Sequence, residues 1–163
     1  MPIGLPPRSI DSLRSSSHIT LRHYRVTLED VLEAHRVALL RSGGLDGVRD
    51  LGLIESVIAR PYSGYHTSIH RKAAALTHSL AKNHGFLDGN KRTALLTLVL
   101  FIDRSNYDLV GPDNRLVGAI VSEEQSVIIT SVEIEPMILA VVDDRLSHKE
   151  LVRWFRARLR CRN

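Results

Sequence analysis

His84, Asp88, Asn90, Lys91 and Arg92 fall within the stretch His-Gly-Phe-Leu-Asp-Gly-Asn-Lys-Arg. Together these groups can grip the phosphates of a nucleotide and pass one of its groups to a hydroxyl. His84 is the candidate general base, because imidazole titrates near neutrality. Asp88 is a hard oxygen donor suited to Mg2+, which takes few protein carboxylates and completes its shell with phosphate and water. Gly89 can adopt a positive φ and let a phosphate approach the backbone. Asn90 can cap a helix or bond a phosphate oxygen. Lys91 and Arg92 add charge, arginine as a two-pronged fork. Singly these residues are ordinary. A histidine at a helix end is usually structural, Asp-Gly-Asn is a common turn, and Lys-Arg opens a helix against its dipole. That last misfit is relieved if an anion binds there.

The elements that must position these groups follow from periodicity. Residues 70–83 read as a helix ending at the base. Residues 90–105 are nearly apolar past their start, which makes that helix central and leaves its first-turn N–H groups for an anion. Thr27-Leu28-Glu29-Asp30 opens a helix to Leu40, stopped by Gly43-Gly44. Asp50 caps another, ended by Arg60-Pro61. Further helices are expected from Asp113 to about Val121, from Pro136 to Asp143, and from the capping box Ser147-His148-Lys149-Glu150 to about Arg160. β-branched content suggests short strands near 18–26 and 126–134. The fold class expected is mainly α, a single-domain helical bundle. Residues 1–18, rich in proline, serine and arginine, read as a poorly ordered leader to a domain spanning 19–163.

Composition sets bounds. At 163 residues and 44% hydrophobic, the chain can bury one core. Its longest apolar run, 94–102, is about half of a membrane span, and 1–17 holds no apolar signal segment. Cys161 is the lone cysteine, so thiolate metal sites and internal disulfides are out and a cytoplasmic setting fits. The net charge of +4 owes much to Arg153, Arg156, Arg158, Arg160 and Arg162, which complement the dipole of a last helix. With only 5% aromatic residues to stack bases, nucleic-acid binding is disfavoured.

The stretch 84–92 resembles the signature of the Fic/Doc family, His-x-Phe-x-Asp/Glu-Gly/Ala-Asn-Gly/Lys-Arg. Lys91, in place of glycine, is similar to the death-on-curing (Doc) branch. Gly43-Gly44-Leu45, residues 48–56, Ala59-Arg60-Pro61 and residues 72–80 extend the resemblance, which covers 26–109, about half of the chain. It implies a Fic-like helical fold with ATP as substrate and Mg2+ as the metal. It implies His84 as base, Asp88 as metal carboxylate, and Gly89, Asn90, Lys91 and Arg92 as phosphate contacts. The backbone of 89–91 would be the anion nest, and Phe86 a core anchor. Lys82 is a weaker candidate for phosphate or target contact. Tyr62, Tyr65 and His66 are candidates for a loop that holds the target backbone.

Family members transfer AMP, or, in the Doc branch, bind the nucleotide in reverse and move its γ-phosphate to a threonine of elongation factor Tu. Lysine at 91 fills the space used in AMP transfer, while Gly89 keeps the Fic-like form. The resemblance therefore implies a Doc-like toxin that phosphorylates a protein hydroxyl, inhibits translation and is restrained by an antitoxin chain. AMP transfer is the alternative, and a catalytically inactive interaction module a further one. The spacing Ser131-x-x-x-Glu135 is similar to an inhibitory motif of the family. Its terminal proline and strand-like setting mark it as coincidence.

Overall fold

Capping side chains set the helix starts. The Thr27 hydroxyl accepts the Asp30 N–H at 3.2 Å, and the Asp30 carboxylate accepts the Thr27 N–H at 2.8 Å, opening α1, Leu28–Ser42. Asp50 accepts the Leu53 N–H and opens α2, Leu51–Ala59, which runs into a 3-10 turn, Arg60–Tyr62. α3 spans Ile69–Lys82 and α4 spans Asn90–Arg104. β1, Tyr107–Leu109, follows. After it come α5, Ile134–Val142, then α6, His148–Arg158, and β2, Leu159–Cys161. Ser147 and Glu150 form the expected capping box at α6. The computed structural model describes residues 22–117 and 133–162.

The expected mainly helical architecture is what forms. α3 lies at the centre, against α2, α4, α5 and α6, and its small Ala73, Ala74 and Ala75 are fully buried, so neighbouring helices approach closely. α4 packs between α1, α3 and α5 and buries Ala94, Leu98, Phe101 and Ile102. The apolar core draws on side chains from Val26 to Leu159. Each large side chain in it contributes roughly 1.5–3 kcal/mol of burial free energy. The two central helices are joined by the short loop that holds His84 and Asp88, so that loop is anchored at both ends. No helix among the described residues is long and apolar enough to cross a membrane.

The β structure differs from expectation. Residues 22–26, the described part of the expected 18–26 strand, form none. Side chains pin them instead: the Tyr24 N–H donates to Ser105 Oγ at 3.0 Å and the Val26 N–H to the Tyr62 hydroxyl at 3.1 Å. Among the described residues the strands that form are β1 and β2, antiparallel, with Tyr107 opposite Cys161. Pairing with β1 ends α6 at Arg158 rather than near 160. Asp113 opens no helix over 113–117. Its carboxylate accepts the Arg115 N–H at 3.2 Å and the Gly111 N–H bonds the Arg115 carbonyl at 2.8 Å, which closes a tight loop. The leader 1–18, the rest of that expected helix and the expected strand up to residue 132 lie outside the described residues.

Tyr62 braces the N-terminal segment. Its hydroxyl accepts from Val26 and donates to the Tyr24 carbonyl, and Arg25 and Lys72 lie over its ring at 4.9 and 5.3 Å. Tyr62→Phe keeps the ring but strands the buried Val26 N–H. It is expected to lower the urea-unfolding free energy by about 1–3 kcal/mol.

His66 and His78 flank His148, with ring centroids 5.9 and 5.8 Å away. Burial pushes all three imidazoles below their ordinary pKa, and the Arg60 charge adds to it. The unfolded chain therefore takes up protons near pH 6.5 that the folded chain resists. Stability is expected to be full above that pH and to fall as pH drops from 6.5 through the lowered values. Thermal melts at about pH 7.5 and about pH 5.5 check this. Replacing the three with glutamine should shrink the difference, leaving the part due to His23 and His70, whose imidazoles burial also pushes down.

Candidate active site

α3 gives way at Asn83, whose backbone is extended, and the Gly85 N–H returns to the Asn83 carbonyl at 2.9 Å. This tight turn projects His84 outward at its apex. The ring is exposed and lines a cleft, and no hydrogen bond or ion pair among the described residues ties it down. Gly85 lies hard against α2: a Cβ there would come within 2.6 Å of Ile54 Cγ1. The Gly85 carbonyl accepts the N–H groups of Arg49 (2.8 Å) and Asp50 (3.1 Å), and the Leu87 N–H donates to the Gly47 carbonyl at 3.0 Å. Val48 and Phe86 thus form an antiparallel bridge between the α1–α2 loop and the His84–Gly89 loop.

Phe86 is buried, as expected of an anchor, and stacks on His35 of α1 with ring centroids 3.9 Å apart. The Asn90 side chain folds back on the Phe86 backbone. Its Oδ1 accepts the Phe86 N–H and its Nδ2 donates to the Phe86 carbonyl, both at 3.0 Å. Asn90 therefore closes the loop on itself. Gly89 is the N-cap of α4, in the left-handed region at φ 75°, and no side chain caps the helix. The first-turn N–H groups of α4, with their partial positive charge, remain for an anion.

Asp88 is exposed and bracketed by backbone. Its Oδ1 accepts the Gly89 N–H at 2.5 Å and its Oδ2 the Leu45 N–H at 3.3 Å. Those two bonds, helped by the Arg92 charge, hold the carboxyl below its ordinary pKa, so it is ionised at neutral pH. Gly44, at φ 125°, lies so close that a Cβ would meet Asp88 Oδ2 at 2.6 Å. Arg92 Nη1 donates to the carbonyls of Gly43 (2.8 Å) and Ala38 (3.2 Å), and Nη2 lies 3.8 Å from Asp88 Oδ1. One prong of the guanidinium thus secures the end of α1, and the other faces Asp88.

The cleft measures about 660 Å³, within the usual range of small-molecule sites. His84, Asp88, Gly89, Asn90, Lys91 and Arg92 all line it, so the local motif is brought together as a unit. Lys91 is exposed. Leu95 and Leu96 of α4 and Ile138, Leu139 and Val142 of α5 form an apolar wall. A cationic end beside an apolar wall matches the two halves of a nucleotide.

The more distant candidates are placed elsewhere. Lys82 is ion-paired with Asp144, beyond α5, and does not line the cleft. Tyr62 is engaged with the N-terminal segment, His66 with His148, and Tyr65 is 82% exposed; none of the three lines the cleft. The chain segment that runs beside the motif is 43–50, not 61–67. Residues that sequence reasoning misses include Arg41, Ser42, His35, Glu135 and the α5 wall. Glu135 stands on the cleft in the first turn of α5, whereas Ser131, its partner in the inhibitory spacing, lies outside the described residues. Only the Gly43-Gly44 pair signals that something must approach closely; no periodicity says what.

If the cleft takes ATP, as the family resemblance implies, Lys82→Ala is expected to leave its affinity unchanged and Lys91→Ala to weaken it by about threefold to tenfold. Isothermal titration with ATP and Mg2+ checks both.

Comparison with known proteins agrees with this geometry. The model of the Fic/DOC family matches residues 25–102. A protein named Toxin Doc, from Mycolicibacterium smegmatis, is 46% identical over 86 residues, covering 50% of this chain and 64% of the relative. A protein named Protein kinase doc, from Escherichia phage P1, is 34% identical over 93 residues, covering 55% of this chain and 72% of the relative. The chain thus spans about two thirds of the length of these relatives. The His84–Gly89 loop and the elements that brace it, from α1 into α4, fall inside the matched segment, and the chain belongs to the Fic/DOC family.

Proposed function

We propose that this chain is a Doc-like toxin that transfers the γ-phosphate of ATP to a hydroxyl of a protein target. The single observation that carries the reading is that an untethered His84 and the uncapped N-terminus of α4, with Lys91 beside it, face one cleft. The first supplies a base and the second a cradle for anions. The relative named as a protein kinase supports phosphoryl over adenylyl transfer, as does the lysine at 91.

The chain's own groups supply the alignment and part of the charge neutralisation that such a transfer needs. His84 takes the proton of the target hydroxyl as its oxygen attacks the γ-phosphorus. The bond from that phosphorus to the bridging oxygen breaks, and ADP leaves with the electron pair. Lys91 and the first-turn N–H groups of α4 bind phosphate charge, and Arg92 steadies the cradle. The donor set fits Mg2+. Asp88 is an ionised, exposed carboxylate, each oxygen of which accepts one N–H and keeps a lone pair. Among the described residues no group of three or more His, Cys, Asp or Glu gathers into a metal cage. An ion here would take Asp88, phosphate oxygens and water, the shell that Mg2+ prefers. Bound Mg2+ would neutralise phosphate charge.

On this reading the target is a translation factor similar to elongation factor Tu, the setting is cytoplasmic, and a separate antitoxin chain covers the cleft near Arg92. Expression of the chain alone is then expected to arrest growth. The deciding experiment incubates the protein with cell extract and ATP labelled at the α or the γ position. The γ label should reach protein, and His84→Ala should abolish transfer by at least about a hundredfold while nucleotide binding persists. Transfer of the α label would establish AMP transfer instead. Transfer of neither, with no ATP uptake, would leave the interaction module.

A further inference from the structure

We propose that His35 is a positioning residue for the phosphate site, acting by fixing the orientation of the peptide between Asp88 and Gly89. This rests on the function proposed above for its consequence, though not for its geometry. His35 is 4% exposed, lies on α1 and stacks on Phe86. Its Nε2 lies 3.0 Å from the Asp88 main-chain carbonyl. A carbonyl can only accept, so Nε2 must carry the proton. Nδ1 lies 3.9 Å from Asp46 Oδ1, too far for a hydrogen bond.

The 88–89 peptide is trans, so its carbonyl and its N–H point to opposite sides. With the carbonyl held inward by His35, the Gly89 N–H must point outward. There it meets the exposed Asp88 carboxylate, at the N-terminus of α4. Gly89 has no Cβ and sits at φ 75°, so it offers little resistance to a peptide flip by itself. The restraint comes from the imidazole below. A flip would turn the Asp88 carbonyl toward the phosphates and take the Gly89 N–H away from the Asp88 carboxylate. A repelling acceptor would then face the anion, and the carboxylate would lose one of its two N–H partners.

Two substitutions separate stacking from hydrogen bonding. His35→Phe keeps a ring against Phe86 and removes the donor. His35→Gln restores an N–H near the Nε2 position without the ring. For the full chain, calorimetry with ATP and Mg2+ is expected to show His35→Phe about tenfold weaker than wild type and His35→Gln within about threefold of it. The Gly89 amide resonance should shift or double in His35→Phe and return to a single peak in His35→Gln. Unchanged affinity and an unchanged Gly89 resonance in a folded His35→Phe would overturn the proposal, as would a glutamine variant no better than phenylalanine. If wild type binds no ATP, the functional reading fails, but the Gly89 resonance still decides the role of His35. If His35→Phe does not fold, the wild-type ring suffices. Its nitrogen shifts must report a proton on Nε2, and a proton on Nδ1 alone contradicts the proposal.

Discussion

Each oxygen of Asp88 has a hydrogen-bond partner. The main-chain carbonyl faces His35 of α1, one carboxylate oxygen takes the Gly89 N–H, and the other takes the Leu45 N–H. Through this one residue α1, the α1–α2 loop and the start of α4 are fastened together. The left-handed Gly89, the outward N–H groups of α4 and the placement of His84 across the cleft depend on that fastening.

The clamp is polar, and most of it is backbone. Leu45, Gly47, Arg49 and Asp50 contribute main-chain groups, and Asn90 contributes a side chain to the Phe86 main chain. The buried layer beneath it is apolar, with Phe86 against His35 and Ile54 against Gly85. Core packing sets the height of the loop, and hydrogen bonds set its twist. Arg92 belongs to both functions: it holds the end of α1 with one prong and keeps charge beside Asp88 with the other.

The local motif was legible in the sequence because its chemistry is contiguous. Residues 84 to 92 sit between two helices with clear apolar periodicity, so their convergence on one cleft followed from chain connectivity. The caps at Thr27, Asp50 and Ser147 were equally readable, since each acts within one turn. What was not legible depends on distant partners. The strand pair of Tyr107–Leu109 with Leu159–Cys161 joins segments that only the closed core brings together. Lys82 points to Asp144, and Tyr62 to Tyr24 and Val26, because of helix phase and loop path, which composition does not encode. His35 looks like any helical histidine until Asp88 is placed above it.

A crystal structure of the chain with Mg2+ and a non-hydrolysable ATP analogue tests the central claim most directly. The account predicts phosphate oxygens within hydrogen-bond distance of the N–H groups at the start of α4, the metal on Asp88, and His84 facing the terminal phosphate. A nucleotide bound away from that helix end, or a 43–50 segment detached from the loop with the nucleotide still bound, would contradict it.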